Sequence, residues 1–159
     1  MPSFLSCFRL ASFALRPVNS IEQNRESLRS WRYGEIEIAN GQLTSIYPRW
    51  WPRLGSRWES YWDRYNRKLP TDFCVAYYAF PRSAPGYMSL LYARSGPSTQ
   101  YKTIYRAVFT LEQIAKLRNS NAIVCEMISE RGTERLMNRW GYVRHALSLG
   151  DNHYIKRLR

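Results

Sequence analysis

Apolar and polar positions in the last third of the chain alternate between helical and extended patterns. A helical pattern from Thr99 to Asn119 leads into the apolar run from Ala122 to Ile128. A short helical pattern then ends at Gly141, and two strand-like pieces close the chain. A strand, a helix and another strand in this order predict a parallel crossover, and α/β proteins place their ligands at such crossovers.

The first half of the chain contains a clear hairpin signal. Residues 35–38 alternate polar and apolar side chains, Asn40-Gly41 follows, and the extended pattern resumes at residues 43–47. Type I′ turns need positive φ at both central residues, and Asn-Gly meets that need. The pattern therefore predicts a β-hairpin.

The next segment predicts an amphipathic helix that Pro70 ends. One face carries residues at helical intervals: Leu54, Trp58, Tyr61, Trp62, Tyr65 and Leu69. Basic residues lie largely off this face: Arg53, Arg57, Arg64 and Lys68. Interleaved rings and arginines can stack single-stranded nucleic acid. The alternative, which we favour, is that the rings belong to the core, because their spacing is helical and large rings dominate burial.

Two strands and one long helix are predicted downstream. Residues 73–80 are apolar on both faces, as in a strand covered on both sides, and Tyr87–Arg94 completes an antiparallel hairpin. The long helix keeps three-four spacing through these residues: Tyr101, Ile104, Tyr105, Val108, Leu111 and Ala115. An alternative interpretation ends a strand at Phe109 and starts a helix at Thr110. We favour one helix.

Composition fits one domain with a sizeable core. The chain has 159 residues, 45 % of them hydrophobic, and a formal net charge of +12. Such an excess of Lys and Arg favours polyanionic partners, although a solvated basic surface is equally compatible with it. The longest apolar stretch, residues 73–80, is too short to span a bilayer, so no membrane span is predicted.

Three separated cysteines, Cys7, Cys74 and Cys125, predict free thiols in a reducing compartment, and hence a cytoplasmic protein. No metal-ligand spacing accompanies them. Residues 1–20 are expected to form a flexible or loosely docked segment, in preference to a cleaved signal, and residues 21–159 to form the domain.

Local sequence in the second half resembles the GNAT superfamily of N-acetyltransferases. Residues 135–144 (RLMNRWGYVR) look like the family's last helix and its Gly-aromatic turn, and residues 153–158 look like its closing strand. The resemblance runs from Tyr87 onward. It implies a single-domain α/β fold with a mixed sheet flanked by helices, in which Ala122–Ile128 runs parallel beside Tyr87–Arg94.

The resemblance also implies a cofactor, acetyl-CoA or another acyl-CoA, between those two strands. Its phosphates would lie where the long helix begins, on these residues: Arg94, Gly96, Ser98, Thr99 and Lys102. The family's phosphate loop carries more glycines than this chain has there. In addition, Pro97 has no N–H group to donate.

Catalytic candidates are harder to transfer from the family. The tyrosine that often serves as general acid corresponds to Met137, which cannot donate a proton. Glu126 is the candidate base, because a carboxylate among apolar residues can have a raised pKa, and Tyr142 is a candidate proton donor. The alternatives are that Glu126 points to the surface and that Tyr142 belongs to the core.

Two functions follow as hypotheses. One is an acyl-CoA-dependent N-acyltransferase that acts on an amine of a small molecule or protein. The other is a non-catalytic GNAT-like basic module that binds nucleic acid or an acidic partner.

Overall fold

Seven strands form one mixed sheet in the computed structural model, which describes residues 16–51, 68–126, 134–145 and 152–158. The strands are β1 (Tyr33–Ala39), β2 (Gln42–Arg49), β3 (Phe73–Ala79), β4 (Tyr87–Ser95), β5 (Ala122–Glu126), β6 (Val143–Arg144) and β7 (His153–Arg157). The helices in these ranges are α1 (Arg25–Ser30), α2 (Tyr101–Leu117) and α3 (Glu134–Arg139). The strand order is β2-β1-β3-β4-β5-β7-β6.

The predicted N-terminal hairpin is confirmed. β1 pairs antiparallel with β2, and the turn residues Asn40 and Gly41 have φ of 52° and 77°. Outside this hairpin, Val18 exchanges two backbone hydrogen bonds with Ile46 of β2, at 2.9 and 2.6 Å. The chain just after the predicted N-terminal segment is therefore attached to the sheet, while residues 1–15 lie outside the described ranges.

β3 is buried along its whole length, which confirms a strand covered on both faces. Alternate side chains enter two clusters. Cys74, Ala76 and Tyr78 join the main core under α2, whereas Phe73, Val75 and Tyr77 form a smaller cluster on the opposite face of the sheet. We call these the helix face and the open face, respectively. The predicted aromatic helix of residues 54–69 falls mostly outside the described residues.

The segment after β4 is one helix, so the alternative with a strand ending at Phe109 is wrong. Its buried side comprises Thr103, Ala107, Thr110, Leu111, Ile114 and Ala115. Tyr101 and Tyr105, which share the predicted apolar spacing, are 45 % and 50 % exposed instead. Tyrosine tolerates this because its hydroxyl can remain in water while its ring packs against a neighbour.

The crossover is confirmed. β3 and β4 pair antiparallel, α2 crosses the helix face, and β5 returns parallel to β4. β7 then pairs antiparallel with β5, and β6 with β7. The chain is thus an α/β protein with a mixed sheet flanked by helices. No helix in the described ranges has both the length and the apolarity to cross a membrane.

Candidate functional site

The pairing between β4 and β5 ends halfway along β4. Their parallel pairing covers only Tyr87–Leu90 against Ala122–Cys125, although β4 continues to Ser95. Among the described residues, no strand pairs with the last part of β4 on this side. Over the described residues, the sheet therefore has a gap beside the last part of β4, at the carboxyl ends of two parallel strands, which is the usual position of ligands in α/β proteins.

A β-bulge lies at the same point. Tyr77 of β3 pairs with Tyr92 and its neighbour Tyr78 pairs with Leu90, so Leu91 is an extra residue in β4. A bulge removes backbone groups from the regular ladder and redirects them. Leu91 is therefore the residue outside the regular ladder at the point where the strands separate.

Side chains that line the end of β4 confirm that the helix-face side of the gap reaches solvent. Ala93 is in register with Ala76 and Ser95 with Cys74, both of which point to the helix face. Ala93 and Ser95 are nevertheless exposed, although β4 is an internal strand. An exposed alanine in such a strand leaves room for a ligand beside it.

The start of α2 already has an anionic partner. The buried carboxylate of Asp72 accepts a hydrogen bond from Gln100 N–H at 3.0 Å. The Thr99 hydroxyl donates to the Phe73 carbonyl at 2.8 Å, and Thr99 N–H donates to the Gly96 carbonyl. A helix N-terminus attracts negative charge, and here Asp72 supplies it from within the chain.

The residues that the resemblance implies for phosphate binding do not converge in one place. Arg94 lies on the open face, with its guanidinium 5.3 Å from the centre of the Phe73 ring. Gly96 is buried, and a Cβ there would lie 2.8 Å from the Thr71 carbonyl oxygen, so close packing explains this glycine. Ser98 is exposed beside the start of α2.

Lys102 and Tyr101 have different neighbours around the start of α2. The stem of Lys102 passes within about 3.1 Å of where a Cβ of Gly41 would stand, next to the β1–β2 turn. Tyr101 instead accepts a hydrogen bond from the Trp140 indole at 2.9 Å, next to α3. Lys102 therefore lies beside the β1–β2 turn, whereas Tyr101 lies beside α3.

Glu126 and Tyr142 lie on different faces of the sheet. Tyr142 is 2 % exposed within the main core, and burial raises its pKa, with smaller contributions from Cys125 and Glu112. Glu126 follows Cys125, so it points to the open face, and it is exposed at the end of β5. Its carboxylate is thus at the surface, which is the alternative left open above, beside the gap.

Both described thiols are buried and free. Burial raises the pKa of Cys74 to about 12 and that of Cys125 to about 12. Since the thiolate is the reactive form, neither is suited to act as a nucleophile near neutral pH. In the described ranges, no three His, Cys, Asp or Glu side chains are grouped as metal ligands.

The basic residues singled out near the aromatic helix can be located only in part. Lys68 is exposed, and Arg49, which precedes this segment at the end of β2, forms an ion pair with the buried Glu35. Arg53, Arg57 and Arg64 lie outside the described residues.

The sequence pattern does not identify three residues of this site: Asp72, Leu91 and Ala93. Asp72 precedes a strand, and its partner Gln100 is 28 residues away, so no local spacing relates them. The bulge depends on the register with β3, which the apolar pattern of β4 does not encode. The Gly96-Pro97 turn before α2 and the carboxylate of Glu126 at the end of β5 are the local signals near this site.

A comparison of the sequence with known protein families and with curated proteins found no match.

Proposed function

We propose that this protein is an acyl-CoA-dependent N-acyltransferase of the GNAT type, and that the acyl arm of the cofactor enters the gap between β4 and β5. One observation carries the proposal. The strands separate after Leu90, and the bulge at Leu91 occurs at the same point. The exposed Ala93 beside the bulge offers the space that an extended arm needs.

The chemistry that this gap could support is direct transfer of the acyl group. A backbone N–H at the bulge would donate to the thioester carbonyl oxygen, where negative charge develops. An amine that approaches from the open face attacks the carbonyl carbon, and the C–S bond breaks as the C–N bond forms. Glu126 takes the amine proton, and the thiolate leaves with a proton from solvent.

Tyr142 is a less suitable donor of the thiolate's proton than solvent. Its burial on the helix face keeps the phenol protonated but separates it from the open face. A packing role accounts for its burial.

The residues predicted to bind phosphate match the GNAT pattern least well. The carboxylate of Asp72 would repel a pyrophosphate at the start of α2, and Arg94 lies on the other face. We therefore expect low affinity for acyl-CoA.

Isothermal titration calorimetry with acetyl-CoA tests the proposal. We expect the wild-type protein to bind acetyl-CoA and Ala93→Trp to lose this binding, because an indole would fill the gap. Ala93 is exposed, so the melting temperature should change little. Thr44→Trp, at an exposed position of β2, is the matched control and should bind as the wild type does.

A turnover measurement adds a second readout. With a primary amine as acceptor, Glu126→Gln should release thiol from acetyl-CoA more slowly while it binds the cofactor normally. Absence of wild-type binding at millimolar acetyl-CoA would reject the enzyme and leave the non-catalytic basic module. Normal binding by Ala93→Trp would place the ligand elsewhere.

A further inference from the structure

Three aromatic rings line the outer side of α2. Tyr101, Tyr105 and Phe109 recur every four residues and are 45 %, 50 % and 39 % exposed. The rings of Tyr101 and Tyr105 are nearly parallel, at 18°, and their centres are 6.1 Å apart. Residues four apart are neighbours on a helix, so the three rings, which we call the aromatic stripe, form one continuous surface.

Cations lie beside both ends of the aromatic stripe. The Arg139 guanidinium is 5.5 Å from the Tyr101 ring centre, and that of Arg106 is 5.6 Å from the Phe109 ring centre. Among the described residues, neither arginine forms an ion pair with an acidic side chain. Other cations do, such as Lys156 with Glu112 and Arg144 with Glu134.

The aromatic stripe ends at a surface cavity. This cavity holds about 720 Å³ and is lined by Arg106, Phe109 and Gln113 of α2, by the β1–β2 turn and by residues 19–22. Its one acidic lining residue, Glu22, pairs with Arg25 at 3.3 Å. The surface thus combines exposed rings, a concavity and two arginines that form no ion pair within the described part of the chain.

We propose that the aromatic stripe binds single-stranded nucleic acid, with bases stacked on Tyr105 and Phe109 and phosphates held by Arg106 and Arg139. Bases of a single strand expose their faces, and aromatic rings stack on them without sequence preference. A duplex buries those faces. An acidic polypeptide would satisfy the arginines but offers no planar groups for the rings. The net charge of +12 would favour association with a polyanion.

The spacing of the rings fits this occupant. Four residues of helix advance by about 6 Å, so the stripe spans about 12 Å from Tyr101 to Phe109. That length accommodates two or three bases that are separated from one another rather than stacked. The binding site is therefore short, and affinity should depend steeply on salt because phosphate contacts release counterions.

Fluorescence anisotropy with labelled ten-nucleotide dT and U oligomers, at two salt concentrations, tests the proposal. We expect Tyr105→Ala and Phe109→Ala each to weaken binding about tenfold, since a stacked base contributes roughly that much affinity. Tyr105→Phe should retain binding, because it keeps the ring. Tyr87→Ala, which removes a ring that is 39 % exposed on β4, is the matched control.

Charge variants supply an independent readout. Arg106→Gln should reduce the salt slope of binding by about 0.7, as expected for one lost phosphate contact on a single strand. Arg157→Gln carries the same charge change at an exposed position at the end of β7 and should leave the slope nearly unchanged. The dT and U arms distinguish DNA from RNA as the preferred strand.

Three results would overturn the proposal. They are no wild-type binding at low salt, equal binding by wild type and Tyr105→Ala, and competition by polyglutamate as effective as that by an oligonucleotide. Acetyl-CoA binding by Tyr105→Ala should match the wild type. Nucleic-acid binding and acyl transfer can therefore fail independently.

Discussion

At the residue scale, Gly34 and Tyr78 show how tightly the main core is packed. Tyr78 is 1 % exposed, and its hydroxyl has no hydrogen-bond partner among the described residues. Burial raises its pKa, although the positive charge of Arg118 acts in the other direction. The ring lies directly over Gly34, where a Cβ atom would overlap with Tyr78 Cζ.

Gly34→Ala should therefore destabilise the protein by about 1–3 kcal/mol, the usual cost of overpacking a core. The sign is informative, because alanine in a strand without such a contact would be more stable than glycine. Urea unfolding measures the difference. Thr44→Ala, at an exposed position of β2, is the control and should stay within about 0.5 kcal/mol of wild type. An unchanged or increased stability of Gly34→Ala would contradict the close approach of Tyr78.

At the element scale, local signals in the sequence predict the elements well. Asn40-Gly41 predicts its hairpin because the turn needs two positive φ values, and both are present. The long helix and the parallel return of β5 follow from periodicity and chain order. Periodicity fails for Tyr101 and Tyr105, because an apolar ring at a helical position does not reveal which side of the helix the sheet covers.

The candidate site is less predictable than the elements that hold it. Its gap depends on where the pairing of β4 and β5 ends, and its bulge depends on the register of β4 with β3. Both are tertiary features. Glu126 could be selected from sequence as a carboxylate next to a buried strand, but its exposure follows from the alternation after Cys125 and from the end of β5.

Asp72 ties the start of α2 to the sheet and also competes with any bound anion there. Asp72→Asn should cost about 0.3–1 kcal/mol in stability, because the amide oxygen still accepts from Gln100 N–H but the charge at the helix N-terminus is lost. If phosphates of acyl-CoA lie at this terminus, the same substitution should raise affinity several-fold. Calorimetry with acetyl-CoA measures the affinity, and urea unfolding measures the stability.

Glu26→Gln is the matched control for that prediction. It removes one negative charge from α1, whose Arg29 contacts the opposite end of α2 through the Leu117 carbonyl. Its affinity for acetyl-CoA should equal that of the wild type. An affinity of Asp72→Asn below that of the wild type would mean that no phosphate lies near the Asp72 carboxylate.

At the scale of the whole molecule, four buried thiol and phenol groups lower the stability of the folded protein at alkaline pH. Burial raises the pKa of Cys74 and of Cys125 to about 12, and it also raises those of Tyr78 and Tyr142. The folded protein therefore keeps these protons at a pH where the unfolded chain has lost them. Because the unfolded state then binds fewer protons, the free energy of unfolding falls as pH rises.

The decline should begin near pH 9, the ordinary pKa of a thiol, and continue toward pH 12. Each fully participating group contributes about 1.4 kcal/mol per pH unit. Urea unfolding under reducing conditions, at several pH values from 8 to 10.5 and constant ionic strength, measures the slope. Loss of positive charge from lysines acts in the opposite direction, because it relieves repulsion in a chain of net charge +12. Comparison with Cys74→Ala isolates one buried thiol, since this variant keeps every lysine and should show a shallower decline. Equal slopes for wild type and Cys74→Ala would show that the thiol ionises as readily in the folded protein as in the unfolded chain.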